Sequence, residues 1–336
     1  MVPINYCQWM IYRGCKNNCP YCEVPSKTSD LKEDHLPAVY KTFELLDGKV
    51  KRLELIGGEP LDYPYINEII DAGNKSSIER LVLITTGINK TKLAEVLKLA
   101  NPAKWGFCFT LDMLPIEANG YLEDKDLAGS ARKSIAGWKG FYQSENFWRR
   151  GHVTIGRHNL KSLPKIAKAI MDNGAYFNCC PILYARQERT SCRLPFMFRP
   201  QNFPNVALQA EDRYRANHVV MELITLKKSY GELFLPSEEY LWIIAQCCKE
   251  PYEKYPCGCG NKMPYLRVGD RVCSDGTFGL MTCSDFYLSL DYSVKDWVEK
   301  GEEVENAWTK NSLRRFCADN EGCAWSVSLT LSSKKK

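Results

Sequence analysis

The chain is 336 residues long, 45% apolar and 25% charged, and its 45 Lys+Arg against 40 Asp+Glu give a net charge of +5. That composition is ordinary for a globular protein and excludes collagen, coiled coil and a disordered chain, while the mild, interspersed charge does not support nucleic-acid binding. No run approaches the roughly 18 apolar residues of a membrane span, Tyr240 to Cys248 being the longest candidate, and no secretion signal opens the chain, so a cytoplasmic protein is expected.

From Asn5 to about Leu183 short apolar runs alternate with segments of helical period, which predicts repeated βα units around a parallel sheet. The runs, read as six strands, are Tyr6–Tyr12, Leu53–Ile56, Leu81–Thr85, Trp105–Leu111, His152–Ile155 and Tyr176–Leu183. Amphipathic stretches at Leu36–Leu46, Thr91–Ala100, Ser130–Phe141 and Leu163–Asn173 supply helices, and Gly174 suits the position just past the last one. Pro195, Pro200 and Pro204 then interrupt regular structure, a helix is expected at about Ala210–Tyr230, and Ser237 could cap another that opens with Glu238 and Glu239. From Tyr255 onward the chain is rich in Gly and Cys and short of apolar runs, which predicts a small metal-dependent domain. The predicted division is 1–183, 184–254 as a connecting helical segment, 255–330, and a disordered tail at 331–336.

Sixteen cysteines in a chain of this size without a signal peptide point to thiolate-bound metal rather than a disulfide framework. Cys15, Cys19 and Cys22 fall in the loop directly after the first predicted strand, at spacings of four and three. Three sulfurs so spaced can hold one side of a four-iron cluster and leave one iron open; a zinc knuckle, which would want a fourth protein ligand, is the bland alternative. With Tyr21 between the second and third cysteines, the loop resembles the C-x3-C-x-aromatic-C motif of the radical S-adenosylmethionine (SAM) superfamily. Gly57-Gly58-Glu59-Pro60, at the end of the second strand, matches that family's GGEP motif, in which backbone and Glu contact the amino group of the methionine moiety. Weaker matches follow in order: Thr85-Thr86-Gly87, where relatives often have Thr-Asn-Gly; Thr110-Leu111-Asp112; and Val153 to Asn159, in which Thr154, Arg157 and Asn159 are candidate cosubstrate contacts.

The resemblance implies a partial six-stranded (β/α) barrel with its site at the C-terminal ends of the strands, a [4Fe-4S] cluster that binds SAM, and a deoxyadenosyl radical that abstracts hydrogen from substrate. The cysteine-rich end resembles the SPASM or twitch extension of anaerobic sulfatase-maturating and other peptide-modifying members. It implies an auxiliary [4Fe-4S] cluster on Cys257, Cys283, Cys317 and Cys323, with Cys259 and Cys273 as substitutes. Cys247 and Cys248 would bring the count to two clusters, but one is expected, and a zinc ribbon is the structural alternative. Peptide, amino-acid and sugar-derived substrates are all implied, with flavodoxin or ferredoxin as electron donor. Only 14 residues precede Cys15, which weighs against a leader-peptide domain. Arg186, Arg189, Arg193 and Arg199, beside Phe196, Phe198 and Phe203, could cover the barrel mouth and suit an acidic group. Strand alternation sends either Cys179 or Cys180 inward, where a thiol could return a hydrogen atom to a substrate radical; Cys108 and Cys192 are similar candidates. The rivals are thus a thiol-dependent epimerase and a non-enzymatic iron–sulfur or zinc scaffold.

Overall fold

A computed structural model describes residues 4–12, 14–17, 19, 35–124, 127–182, 206–246, 266–281 and 289–307. Its first half repeats one unit: β1 (Ile4–Tyr12), α1 (Leu36–Leu46), β2 (Val50–Gly57), α2 (Ile66–Lys75), β3 (Arg80–Thr85), α3 (Lys90–Leu99), β4 (Trp105–Thr110), α4 (Pro115–Gly120), α5 (Ala128–Gln143), β5 (Trp148–Ile155), α6 (Leu163–Asp172) and β6 (Tyr176–Pro181). The strands from β1 to β6 lie side by side in chain order and all pair in parallel.

Each helix buries one stripe on this sheet. In α6 that stripe is Leu163, Ile166, Ala167, Ile170 and Met171, and each fully buried large aliphatic in it is worth about 1.5–3 kcal/mol. Gly174 does end α6 with a positive φ of 68°, and Asn89 starts α3 by accepting the Lys92 N–H. Helix α2, which the apolar period at Ile66, Ile69 and Ile70 could have revealed, packs Gly73 so close to Trp105 that a Cβ would stand 2.5 Å from the ring.

The chain after the barrel closes both flanks of the sheet. The helices Arg213–Tyr230 and Glu238–Gln246 cover β6: Phe234 packs on Phe177 at 5.0 Å between ring centroids, and the Tyr240 hydroxyl donates to the Cys179 carbonyl. Ser237 caps the second of them by accepting the Tyr240 N–H at 3.1 Å. At the other edge β7 (Leu266–Val272) pairs in parallel with β1, then β8 (Phe278–Met281) and β9 (Ser289–Ser293) follow antiparallel, giving one sheet of nine strands among the described residues. The described residues of 266–293 therefore extend the barrel sheet, and Trp9 of β1 packs on both Phe43 of α1 and Phe278 of β8. Asp275-Gly276 forms the expected tight turn between β7 and β8, with Gly276 at φ 75°. Among the described residues no helix is long and apolar enough to cross a membrane.

Candidate functional site

The loops that leave β1 and β2 are fastened to each other. Gly58 N–H donates to the Tyr12 carbonyl at 2.7 Å and Glu59 N–H to the Gly14 carbonyl at 2.9 Å. Glycine is required at two points: a Cβ on Gly57 would stand 2.2 Å from the Tyr12 carbonyl oxygen, and one on Gly14 equally close to the Tyr12 ring. This holds the buried thiol of Cys15 beside the Gly57-Gly58-Glu59 turn, while the buried Cys19 thiol lies near Lys133 and Ser130 of α5. Cys15 Sγ accepts the Asn17 N–H, and Asn17 Nδ2 in turn donates to Thr86 Oγ1 at 3.2 Å, tying the cysteine loop to the end of β3. Burial pushes the Cys19 thiol up, against the pull of Lys133.

Glu59 does not present an open anion. It is 1% exposed, and its carboxylate accepts from the Leu61 N–H, the Thr85 hydroxyl, and both the N–H and hydroxyl of Thr86. A carboxylate offers about four acceptor sites, so the chain itself fills them. Burial nevertheless raises its pKa, with these four bonds opposing. The carboxylate joins β2 to β3, and Thr86, which stands where relatives often carry Asn, supplies two of its donors. Pro60 is buried and opens the short turn Pro60–Asp62 that Glu59 caps.

At the end of β4, Asp112 is 0% exposed and does two jobs. One oxygen accepts the Thr154 N–H at 2.8 Å, and the other meets the Lys133 ammonium at 2.8 Å. Lys133, only 5% exposed in its side chain, comes from α5, whose Gly137 lets the helix lie against the Thr110 carbonyl. Thr110 and Thr154 are half-buried on the same strand ends. Asn159 donates to the carbonyls of Asp112 and Thr154 and accepts the Gly156 N–H, so it is a structural clasp under these residues. The Arg157 guanidinium pairs with Glu211 and, at 3.1 Å, with Asp212, holding the 206–212 segment. Lys133 was missed because it sits in a helix of ordinary amphipathic period; a lysine on a helix stripe otherwise buried is the signal that could have marked it.

The inner face of the sheet carries a charged floor. Glu54 of β2 accepts from Arg52 at 2.6 Å, from Arg150 across the barrel on β5 at 3.0 Å, and from the Tyr6 hydroxyl at 2.8 Å. The two guanidiniums hold the Glu54 carboxyl down at about 2 despite its burial. Arg150 also donates to Cys108 Sγ at 3.1 Å, and burial pushes that thiol up. Above the floor, His152 Nε2 lies 3.2 Å from Cys180 Sγ. Alternation thus turns Cys180 inward and leaves Cys179 in the apolar core at 1% exposure, which removes Cys179 as an interior thiol.

Tyr21, Cys22, Cys192, Cys247, Cys248, Cys257, Cys259, Cys283, Cys317, Cys323, the arginine-rich stretch 186–203 and the tail lie outside the described residues. Cys273 is half-buried at the start of the β7–β8 turn. Among the described residues no three potential ligands gather into a metal site. The thiols of Cys15 and Cys19 fit a cluster's donor set, being buried and on the loop that leaves β1, at the strand ends where parallel sheets bind ligands.

Residues 9–120, one third of the chain, match the family model described as the Radical SAM superfamily. No curated protein matches the sequence. Among solved structures the fold is similar to that of native anSMEcpe with bound AdoMet and Cp18Cys peptide, at TM-score 0.60 and 13% identity, covering 92% of this chain and 82% of that one. It is also similar to Streptococcus suis SuiB bound to S-adenosylmethionine, at TM-score 0.57 and 12% identity over 100% and 75% of the two chains. SuiB bound to its precursor peptide SuiA gives TM-score 0.53 and 12% identity over 89% and 65%.

Proposed function

We infer from the radical SAM domain of residues 9–120 that this chain is a radical SAM enzyme. We propose that it cleaves SAM reductively and removes a hydrogen atom from a peptide, amino-acid or sugar-derived substrate in an oxidative modification. The observation that carries this reading is the joint at Thr86, where the cysteine loop, through Asn17, and the Gly-Gly-Glu turn, through Glu59, meet on one residue. Cys15, Cys19 and Cys22 would hold the cluster. When bound, cluster and SAM together supply a carbon-centred radical that takes hydrogen from an unactivated C–H bond.

The chain's own residues bind and orient. Gly57 and Gly58 let the turn lie against the cysteine loop, and Glu59 and Thr86 keep that loop in place. The Asp112–Lys133 pair sets the ends of β4 and β5, and in this reading the half-buried Thr110 and Thr154 contact SAM there. Within this reading Cys257, Cys283, Cys317 and Cys323, or Cys259 and Cys273 in their place, hold one auxiliary cluster, and flavodoxin or ferredoxin delivers the electron. The peptide substrate class is favoured because two proteins of similar fold are described with bound peptides.

A second reading, a thiol-dependent radical epimerase, is favoured by Cys180, the described β6 cysteine that faces inward. Anaerobic reconstitution with iron, sulfide and reductant tests the primary reading. Formation of 5′-deoxyadenosine from SAM and loss of one cluster's iron in a Cys15/Cys19/Cys22→Ala variant are expected; no 5′-deoxyadenosine, or zinc at these thiols, overturns it. Solvent deuterium in the product would select the epimerase.

A further inference from the structure

His152 of β5 and Cys180 of β6 share the inner face of the barrel, and their contact of 3.2 Å is apart from the cysteine loop. We propose that His152 is a positioning residue that accepts the Cys180 S–H hydrogen at Nε2 and keeps this sulfur a protonated thiol aimed into the barrel. The inference rests on the epimerase reading, in which Cys180 gives a hydrogen atom to a substrate radical. A thiolate cannot do so, because it carries no hydrogen.

A cysteine beside a histidine can instead exist as an imidazolium–thiolate ion pair, so the surroundings must decide. Burial is the largest effect on His152 and holds the imidazole down to about 4. Arg150, two residues before it on the same strand, and Lys133 from α5 act in the same direction, while Asp112 and Glu54 oppose them. Cys108, the thiol on β4 that faces this layer, is itself held protonated by burial. An extra positive charge on the imidazole is thus disfavoured by burial and by a neighbouring guanidinium that Glu54 already anchors. The neutral pair is the one this environment supports.

The Cys180 S–H bond breaks homolytically as a C–H bond forms at the substrate radical, leaving a thiyl radical. One electron from a low-potential iron–sulfur or flavin donor and one proton passed through His152 restore the thiol. The imidazole ends as it began.

Infrared spectroscopy of the full chain, without substrate and under argon at pH 7.5, reads the S–H stretch directly. The difference between wild type and Cys180→Ala is expected to contain an S–H band shifted to lower frequency than that of an unbonded thiol. His152→Leu should move this band up, and His152→Gln, whose amide oxygen can replace Nε2 as acceptor, should keep it low. Should His152→Leu fail to fold, His152→Asn, with its shorter reach, serves the same comparison. Absence of the band, meaning a thiolate, overturns the proposal, as does a band that His152 variants leave unmoved. The radical reading fails separately, if reconstituted wild type forms no 5′-deoxyadenosine while the S–H band is as expected.

Discussion

The Asp112–Lys133 pair offers the sharpest energetic test of how the site is held. The two charges meet at 2.8 Å with 0% and 5% of their side chains exposed, so neither can turn to water when its partner is removed. At an effective dielectric of about 20, two unit charges roughly 4 Å apart attract by about 4 kcal/mol, and breaking one side of a buried pair typically costs about 3–5 kcal/mol. Lys133→Met takes the ammonium from the buried carboxylate. Asp112→Asn takes the carboxylate charge from the buried ammonium but keeps an oxygen for the Thr154 N–H. Each single variant is expected to lose about 3–5 kcal/mol in urea denaturation of the unreconstituted chain, a large share of a typical stability of about 5–15 kcal/mol. The double variant removes both charges together and should cost well below the sum, with a coupling energy of about 3 kcal/mol. Additive losses, with coupling under about 0.5 kcal/mol, would show that the pair does not form and would remove the proposed support beneath Thr154.

Acid should destabilise the fold in two windows. His152 and His158 both titrate near 4 when folded, below the ordinary value of about 6.5, so the unfolded chain binds their protons more tightly. Their contribution is complete above pH 6.5 and is lost as pH falls toward 4, up to about 3 kcal/mol per histidine, and His152→Gln should remove about half of that decline in denaturation curves. Glu54, held near 2, contributes stability that is complete above its ordinary value and disappears only as pH falls from there toward 2. Gly57→Ala drives a methyl group to 2.2 Å from the Tyr12 carbonyl oxygen; a loss of about 1–3 kcal/mol or more is expected, together with reduced iron content after reconstitution. Arg157→Ala should leave SAM binding by calorimetry unchanged while making the 206–212 segment more open to proteolysis, since the guanidinium is engaged by Glu211 and Asp212. Loss of SAM binding would place Arg157 at the cosubstrate site.

Local pattern and spacing carried much of the architecture. The six barrel strands announce themselves as apolar runs, Ser237, Gly174 and Asp275-Gly276 mark their helix ends and turn, and the cysteine loop and Gly-Gly-Glu-Pro lie one βα unit apart as they do in the fold. What was not legible depends on partners distant in sequence. Strand β7 is seven residues with little to mark it, and only its pairing with β1 makes the described residues of 266–293 continuous with the barrel. The pairing of Arg157 with Glu211 and Asp212, more than fifty residues away, has no local mark in the sequence. Arg52 and Glu54 alternate along β2 as a solvent-facing strand would, yet the curled sheet turns them toward Arg150 on β5.

These long-range pairings narrow the chemistry open to the barrel interior. Glu54 is clasped by two guanidiniums, Glu59 by four donors, and Asp112 by Lys133 and the Thr154 amide. All three buried carboxylates are spent on holding strands together, so using one as a proton acceptor would loosen the site that needs it. The His152 imidazole and the Cys180 thiol meet each other on this face, and burial keeps the imidazole neutral. An oxidative reaction that passed a substrate proton to His152 would work against that burial and compete with its bond to Cys180. The second reading keeps that bond until the hydrogen atom leaves Cys180 and uses His152 only to restore the thiol, so solvent deuterium in the product, and its loss in Cys180→Ala with 5′-deoxyadenosine formation intact, decides which of the two reactions this interior is arranged to perform.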